Sequence, residues 1–468
     1  MRAGSHCTAG GGGPPSPSGQ WVAIFVPEDH RLLELKRALD WEALTAVMVK
    51  HWRAAGKNVD GGRGVGWPVS LYVPLLVLRA VKALNSRQME EYLAENGVAR
   101  VFMELQAQER AAVRDHSNIA RAQAALGSAG WEAVNHLIVG EAVRLGFGRP
   151  EVLSADTTVQ EPQIGYPHEA GILRGIAQRV VRSLRKLQQR GCRATAAAKE
   201  KAKAVLQRVK HYHLFAKTKA EKDAVLQELV QQTQALSAAS QQVIAAVKET
   251  TSQAVKSAVA KLKQMVAVTQ VLLPQIGQWL TTGVVASGKL LHAGITTARA
   301  IVKNKVGKKV EFGLKWLLNR IEGGYVFGTV VAAHADEKQM PLVALRQYRA
   351  VFGPRATPQL LVYDRGGSAA KTVQKLRQEG VKKVGIEPVG QAAWSIAAAD
   401  QQKVKSQRAK TEGSIGALKS RKYDFNHGRQ RTDQSLVATG QWALVCLNVN
   451  KLLRDIVGKD QKAQAAAA

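Results

Sequence analysis

Three acids stand out by where they fall. Asp156 closes the apolar run Glu151-Val-Leu-Ser-Ala-Asp156, Asp364 closes Gln359-Leu-Leu-Val-Tyr-Asp364, and Glu412 lies in helical patterning from Asp400 to Leu418. A short apolar run ending in an acid is how a strand delivers a carboxylate at its tip. Two such tips and a nearby helix face can converge on one edge of a sheet. Hard divalent cations take oxygen ligands, and magnesium keeps several waters while accepting one or two carboxylates per ion. Asp156, Asp364 and Glu412 are therefore candidate catalytic residues and candidate ligands for two Mg²⁺ ions, with Mn²⁺ as a substitute. Two ions about 3.5–4 Å apart activate a water or a hydroxyl on one side of a phosphodiester and stabilise the leaving oxygen on the other, so no protein nucleophile is needed. Taken singly, each acid is also an ordinary strand-end or helix-surface residue. Glu387, after the apolar run Lys383 to Ile386, is the next acid to consider if Glu412 fails.

The elements that must position these acids follow from the pattern around them. Helical spacing runs over 32–51, 71–84, 86–95, 116–125 and 131–145, with a glycine-rich break at Gly61 to Gly66 before Pro68. Several short helices with short turns suit a compact, helix-turn-helix-like bundle, a pattern shared by bundles that bind nothing. Two β-rich runs, Lys309 to Asn319 and Gly324 to Ala333, flank the turn Arg320 to Gly323 as a hairpin. A helix over 341–352, a helix over 369–378 ended by Gly380, and a strand over 383–386 complete the order. The order implies an α/β fold, mixed and α-rich: a ribonuclease-H-like mixed sheet with a long basic helical insertion, preceded by a helical N-terminal domain. The expected partition is a disordered tail over 1–27, a helical DNA-binding domain over 28–150, the sheet domain over 151–170 and 304–457, the insertion over 171–303, and a disordered tail over 458–468.

Charge identifies the kind of partner. With 67 Lys and Arg against 36 Asp and Glu, the net charge is +31, which calls for a polyanion. Gly171 to Val310 holds 25 of the bases and only five acids. Its apolar residues recur at helical spacing, which predicts two long helices over 172–210 and 221–272, hinged near 211–219. Such a block is either a solvated coiled-coil hairpin or a DNA-contacting arm. Its single sign favours DNA, because soluble coiled coils usually intersperse Glu with Lys. Arg182, Arg185, Lys201 and Lys203 are candidate phosphate contacts. Near the end of the N-terminal helices, Arg114, Asn118 and Arg121 fall together, Asn118 being of the type that reads adenine. The same three residues also suit capping and solvation of that helix. No stretch matches a membrane span, since Val271 to Ile301 is interrupted by Pro274 and Lys289. The lead-in with Gly10 to Gly13, Pro14 and Pro15 lacks the apolar stretch of a signal peptide. Cys7, Cys192 and Cys446 make neither a disulfide framework nor a zinc site, which fits a reducing cytosol. There is no H-E-x-x-H and no G-x-x-x-x-G-K-S/T loop, so no ATP is implied.

DTTVQE from Asp156, YPHEAGIL from Tyr166, DRGG from Asp364 and EGSIGALKSR from Glu412 together resemble the DDE transposases of bacterial insertion sequences, most closely the insertion-sequence-five-like group. The resemblance spans roughly residues 70–455. DHSNIAR from Asp115 resembles the stretch that ends the helical DNA-binding region of that family. Arg408, Glu412 and Lys419 match its Tyr-x2-Arg-x3-Glu-x6-Lys spacing, with Lys405 where the family has Tyr. His168-Glu169 replaces the usual Thr-Asp, and Gly367 stands where an aromatic often follows Asp-Arg-Gly. None of these departures removes a metal ligand. The resemblance implies cleavage at the ends of a mobile element and joining of the 3′-hydroxyls to target DNA. It also implies double-stranded DNA partners (terminal inverted repeats and target), a homodimer in the synaptic complex, and a cytoplasmic, nucleoid-associated bacterial setting. Arg408, Lys419 and Lys405 would then contact DNA near the scissile bond. A nuclease of the same fold without strand transfer, and an inactive transposase-derived DNA-binding protein, are the alternatives. Trp394 fits a core position or a base-stacking one.

Overall fold

The computed structural model describes residues 26–60, 67–105, 115–247, 251–302, 309–390, 392–426, 428 and 430–467. Arg114, the glycine-rich break and nearly all of the N-terminal tail lie outside the described residues. The chain is mixed α/β and rich in helix, with a six-stranded mixed sheet. It divides into two compact units: residues 1–160, 315–428 and 434–468 in one, 161–314 and 429–433 in the other.

The first unit opens with helices α1 (Arg31–Ala38), α2 (Trp41–Ala54), α3 (Val69–Lys82), α4 (Ser86–Glu95), α5 (Gly97–Met103) and α6 (His116–Arg144). One helix over 32–51 is expected from periodicity. The chain instead breaks at Leu39, because Asp40 turns its carboxylate onto the Ala43 N–H and starts a new helix. The expected gap between 125 and 131 is only a kink in α6 at Gly127, whose φ is 61°. These helices share a core with the sheet: Asn135 donates to the Val326 carbonyl, and Asn450 donates to that of Ala80.

The sheet runs through β1 (Arg149–Gln160), β2 (Arg299–Val302), β3 (Val310–Glu322), β4 (Val326–Val330), β5 (Leu360–Tyr363) and β6 (Lys383–Ile386). Its order is β2-β3-β1-β5-β6, with β4 also on β3. β1, β5 and β6 are mutually parallel, while β4 runs antiparallel to β3. β3 turns into β4 through Gly323 and Gly324, at φ 99° and 98°, angles that strain any residue with a side chain. Between strands lie α11 (Met340–Phe352) and α12 (Ala370–Gln378), then α13 (Ala398–Leu418) and α14 (Asp433–Ala467). The sequence suggests a disordered tail from 458, but α14 continues through Ala467. Alanine carries no propensity penalty, and extending a helix already nucleated costs little. Gly440 of α14 lies where a Cβ would strike the Trp316 indole, so the helix packs flush on β3. Trp394 packs against the buried cluster of Val152, Leu360, Val362 and Val404, a core position.

The second unit is a four-helix bundle: α7 (Glu169–Gln188), α8 (Ala196–Leu214), α9 (Lys219–Ala246) and α10 (Gln253–Thr282). Each helix packs on the next and α10 closes back on α7. Two long helices are expected and four are found. The break before α8 is at Gly191, φ 85°, and α9 starts at a capping box between Thr218 and Glu221. Leucines, valines and alanines fill the bundle's interior, while Arg182, Arg185, Lys201 and Lys203 are all exposed. β2 pairs with the first residues of β3. No single helix among the described residues is long and apolar enough to cross a membrane.

Candidate active site

The parallel pairing of β1 with β5 sets Ser154 against Val362. Continuing that register two residues along both chains, where side chains return to the same face, brings Asp156 level with Asp364. Asp364 does follow the end of β5, but β1 runs on to Gln160, so Asp156 lies within its strand and not at the tip expected from the apolar run. Both acids are half-buried. Asp156 accepts the Thr157 N–H at 2.7 Å. Asp364 stands where β5 gives way to a short 3-10 turn and accepts the Gly366 N–H at 3.0 Å. Gly367 is buried, and a Cβ there would lie 2.5 Å from the Tyr363 ring. A side chain at 367 would therefore collide with that ring unless the ring moved.

A fourth carboxylate, which the sequence analysis missed, ties the two strands together. Glu337 accepts from the Tyr363 hydroxyl at 2.6 Å, from the Thr157 hydroxyl at 3.2 Å and from Lys315 Nζ at 2.7 Å. Thr157 and Tyr363 are the chain neighbours of Asp156 and Asp364, so Glu337 ties the middle of β1 to the end of β5 through residues adjacent to the two acids. Lys315 is nearly fully buried, its side chain 7% exposed, and its ammonium also donates to the Ala335 carbonyl. The sequence did carry a signal, a lysine inside the apolar run Phe312 to Ile321, although Asp336-Glu337 itself reads as a helix start.

Electrostatics follow from this packing. Burial, then repulsion from Glu337, pushes the Asp364 carboxyl above its usual range, with Arg408 opposing. Burial alone would raise Glu337 too, but hydrogen bonds from Lys315 and Tyr363 outweigh it and hold it low. The Tyr363 phenol is driven up by burial and then by Glu337, Asp364 and Asp156, so it stays a donor.

Glu412, the third candidate acid, lies on α13. Two buried hydrogen bonds fix the helix's rotation: the Thr411 hydroxyl donates to Ser154 Oγ at 2.7 Å, and Arg320 donates to Gln407 at 2.9 Å. Val404, Gln407, Thr411 and Leu418 face inward. At about 100° per residue, Lys405, Arg408, Glu412 and Lys419 then share the adjoining strip of the helix. Lys405 and Glu412 are exposed, and Arg408 and Lys419 are half-buried. Arg408 pairs with Glu387 at 2.9 Å, and Arg365 binds the same glutamate at 2.9 Å. Glu387 is thereby held below its usual range, first by Arg365.

Near α6, Asp115 caps the Ser117 N–H, and Arg121 donates to Ser117 Oγ and to Asn118 Oδ1 at 2.5 Å. The structure thus places Asn118 and Arg121 in a capping network at the helix start. In the second unit His168 caps α7 by accepting the Gly171 N–H. Among the described residues, no three His, Cys, Asp or Glu side chains stand close enough to hold a metal ion as placed. Chemically, however, the donors fit a hard divalent cation. They are all carboxylate oxygens, and the crowding of Asp364 by Glu337 is of the kind such a cation relieves.

Residues 22–124 match the family described as Transposase domain (DUF772). The match takes in α1 to α5 and the start of α6. No curated protein and no solved structure matches the chain.

Proposed function

We propose that the chain is a DNA transposase that cleaves at the ends of its mobile element and joins the 3′-hydroxyls to target DNA by two-metal-ion phosphoryl transfer. One observation carries the reading: Asp156, within β1, falls level with Asp364, just past the end of the parallel strand β5, and the Glu412 helix is anchored to β1, in a chain with a transposase domain at 22–124. The run β4-β3-β1-β5-β6, antiparallel on one side and parallel on the other, supports a ribonuclease-H-like sheet.

Asp156, Asp364 and Glu412 would hold Mg²⁺, or Mn²⁺ in its place. Bound there, the cations supply Lewis acidity at the attacking and leaving oxygens. Glu337, neutralised by Lys315, keeps the two strands at a fixed spacing beside Asp156 and Asp364 through Thr157 and Tyr363. Arg408 is shared between Glu387 and the incoming phosphate, which competes for a guanidinium already turned toward the site. Lys405 and Lys419, on the same strip of α13, contact the flanking phosphates. Exposed Arg182, Arg185, Lys201 and Lys203 add sequence-independent grip on duplex DNA. Asn118 and Arg121 leave their capping contacts to read the element's ends. A homodimer would pair two ends, in the bacterial cytoplasm and without ATP.

The test is end cleavage and strand transfer with Mg²⁺, using flanking inverted repeats as substrate and pre-cut ends for the joining step. Asp156→Asn, Asp364→Asn and Glu412→Gln should each abolish both reactions while DNA binding persists. Cleavage that survives Glu412→Gln but not Glu387→Gln would move the third ligand to Glu387. Hydrolysis without joining of pre-cut ends would reduce the protein to a nuclease.

A further inference from the structure

The second unit contains a cleft of about 650 Å³ lined by Arg179, Arg182, His292, Gln178, Gln430 and Arg431. We infer that this cleft is a phosphate-binding site that seats the backbone of a DNA strand, an inference that rests on the transposase reading. The geometry is that of a built site. Arg179 donates to the Arg431 carbonyl at 2.8 Å, which joins α7 to the segment before α14. The arginine lies across Gly294, where an added Cβ would overlap its guanidinium. His292 Nδ1 accepts the N–H groups of both Gly294 and Ile295, at 3.2 and 3.1 Å. The ring proton must therefore sit on Nε2, so even the neutral imidazole is a donor there.

The three guanidinium groups outnumber the one acid near them. Among the described residues, none of Arg179, Arg182 and Arg431 makes an ion pair. The acid facing them is Asp433, and its two oxygens are spent on Thr296 and Thr297. Oδ2 accepts the Thr296 N–H and hydroxyl at 3.1 and 2.7 Å, and Oδ1 accepts those of Thr297 at 2.9 and 2.6 Å. Burial and then Arg182 and Arg431 push the Arg179 guanidinium below its usual range, with Asp433 opposing, as expected of three cations crowded around a single acid. Planar guanidinium forks, an imidazole N–H and carboxamides converging on one cleft match the oxygens of a phosphodiester. Gln163, Gly175 and Ile164 complete the wall without adding an acid.

The experiment uses the full chain and a labelled duplex of arbitrary sequence, with affinity read against salt. R179Q combined with R431Q should weaken binding about tenfold and flatten the log–log salt slope by about 2. The control, K261Q with K263Q, removes the same charge from exposed positions on α10 and should change affinity less than about twofold. Gly294→Ala changes no charge, but its Cβ would overlap the Arg179 guanidinium and press on the Arg431 carbonyl, displacing both cleft arginines, and should weaken binding at least as much as Arg179→Gln alone. Each variant is read once its melting is as cooperative as that of the unaltered chain, so Gly294→Ala and the arginine pair serve as independent routes. Equal losses in the cleft and control pairs would overturn the inference, because binding would then follow net charge. An unaltered protein that cuts its ends with Mg²⁺, alongside cleft variants of undiminished affinity, would sink the cleft and leave the transposase intact. An unaltered protein that binds no DNA would sink both.

Discussion

The acidic site of the first unit and the arginine cleft of the second both crowd like charges, but they are organised in opposite ways. At the acidic site one carboxylate, Glu337, is answered inside the protein by Lys315, Tyr363 and Thr157, and only Asp364 is left pushed up by burial and repulsion. In the cleft the one nearby acid, Asp433, spends its hydrogen bonds on two threonines and only partly offsets the mutual repulsion of the arginines. In both places the internal pairing is spent on a positioning residue, and the charge that remains has the sign opposite to its proposed ligand. Substitutions on the two sides should therefore separate stability from function.

The largest effect expected is at Asp364. Asp364→Asn keeps the oxygen that accepts the Gly366 N–H but removes a crowded negative charge. A metal ligand contributes several kcal/mol of transition-state charge stabilisation, so Mg²⁺-dependent cleavage should fall by about a thousandfold or more. Without metal, the same variant should melt no lower than the unaltered protein. A clear drop in melting temperature would mean that Asp364 is a structural acid.

Glu337 should behave in the reverse manner. Glu337→Gln keeps an oxygen that can accept from Lys315 but removes the negative charge that answers its buried ammonium. Stranding one member of a buried pair costs about 3–5 kcal/mol, and the partial exposure of Glu337 reduces this to roughly 2–3 kcal/mol by denaturant unfolding. Lys315→Met added to Glu337→Gln should restore most of the loss, a coupling that a double-mutant cycle measures. In the cleft, Arg179→Gln should cost less, about 1 kcal/mol or under, because the hydrogen bond lost to the Arg431 carbonyl is offset by relieved repulsion. If both substitutions destabilised alike, the contrast between the two sites would collapse.

How much of this was legible in the chain depends on how local each signal was. Asp156 and Asp364 could be read because each ends its own apolar run, and the order of strands and helices around them was recoverable from period and turn signals. Glu337 could not, since its partners lie 26 and 180 residues away in sequence and Asp336 beside it caps a short helical turn. The bundle was seen as helical and basic, but not as four helices. Its apolar spacing carries on across Gly191 and past Val247, because every helix faces the same core. β2, only four residues long and outside any strong alternation, was missed. The cleft was invisible because it assembles α7, the loop at His292 and the residues before α14, three segments with no shared motif.

A smaller effect is expected from acid. Burial drops the His136 imidazole to about 4, with no acid to answer it. Its folded value lies below the unfolded value of about 6.5, so the unfolded chain binds more protons between those limits. Stability is then lost as pH falls from about 6.5 toward 4, by at most about 2 kcal/mol between pH 7 and pH 5. His136→Phe, which keeps a ring against Phe327, should flatten that part of the pH–stability curve. An unchanged curve would assign the acid sensitivity to groups such as His292, whose pKa burial also lowers.

The smallest effect is expected at Lys405, and it tests whether the strip on α13 belongs with the acidic site or acts as a basic surface in its own right. Lys405 is exposed, one turn before Arg408 on the strip that carries Glu412 and Lys419. It stands at the position where the resemblance would place a tyrosine. A lone lysine on a phosphate is a screened point charge, so Lys405→Gln should leave stability within about 0.5 kcal/mol. It should weaken DNA binding uniformly across sequences and reduce the salt slope by about 1. Arg408→Gln should do more, because it also strips Glu387 of one of its two arginines and lowers cleavage as well as binding. If Lys405→Gln slowed cleavage as much as Arg408→Gln at saturating DNA, Lys405 would act on the scissile phosphate itself. The positive side of the first unit's site would then include a group that the structure leaves open to solvent.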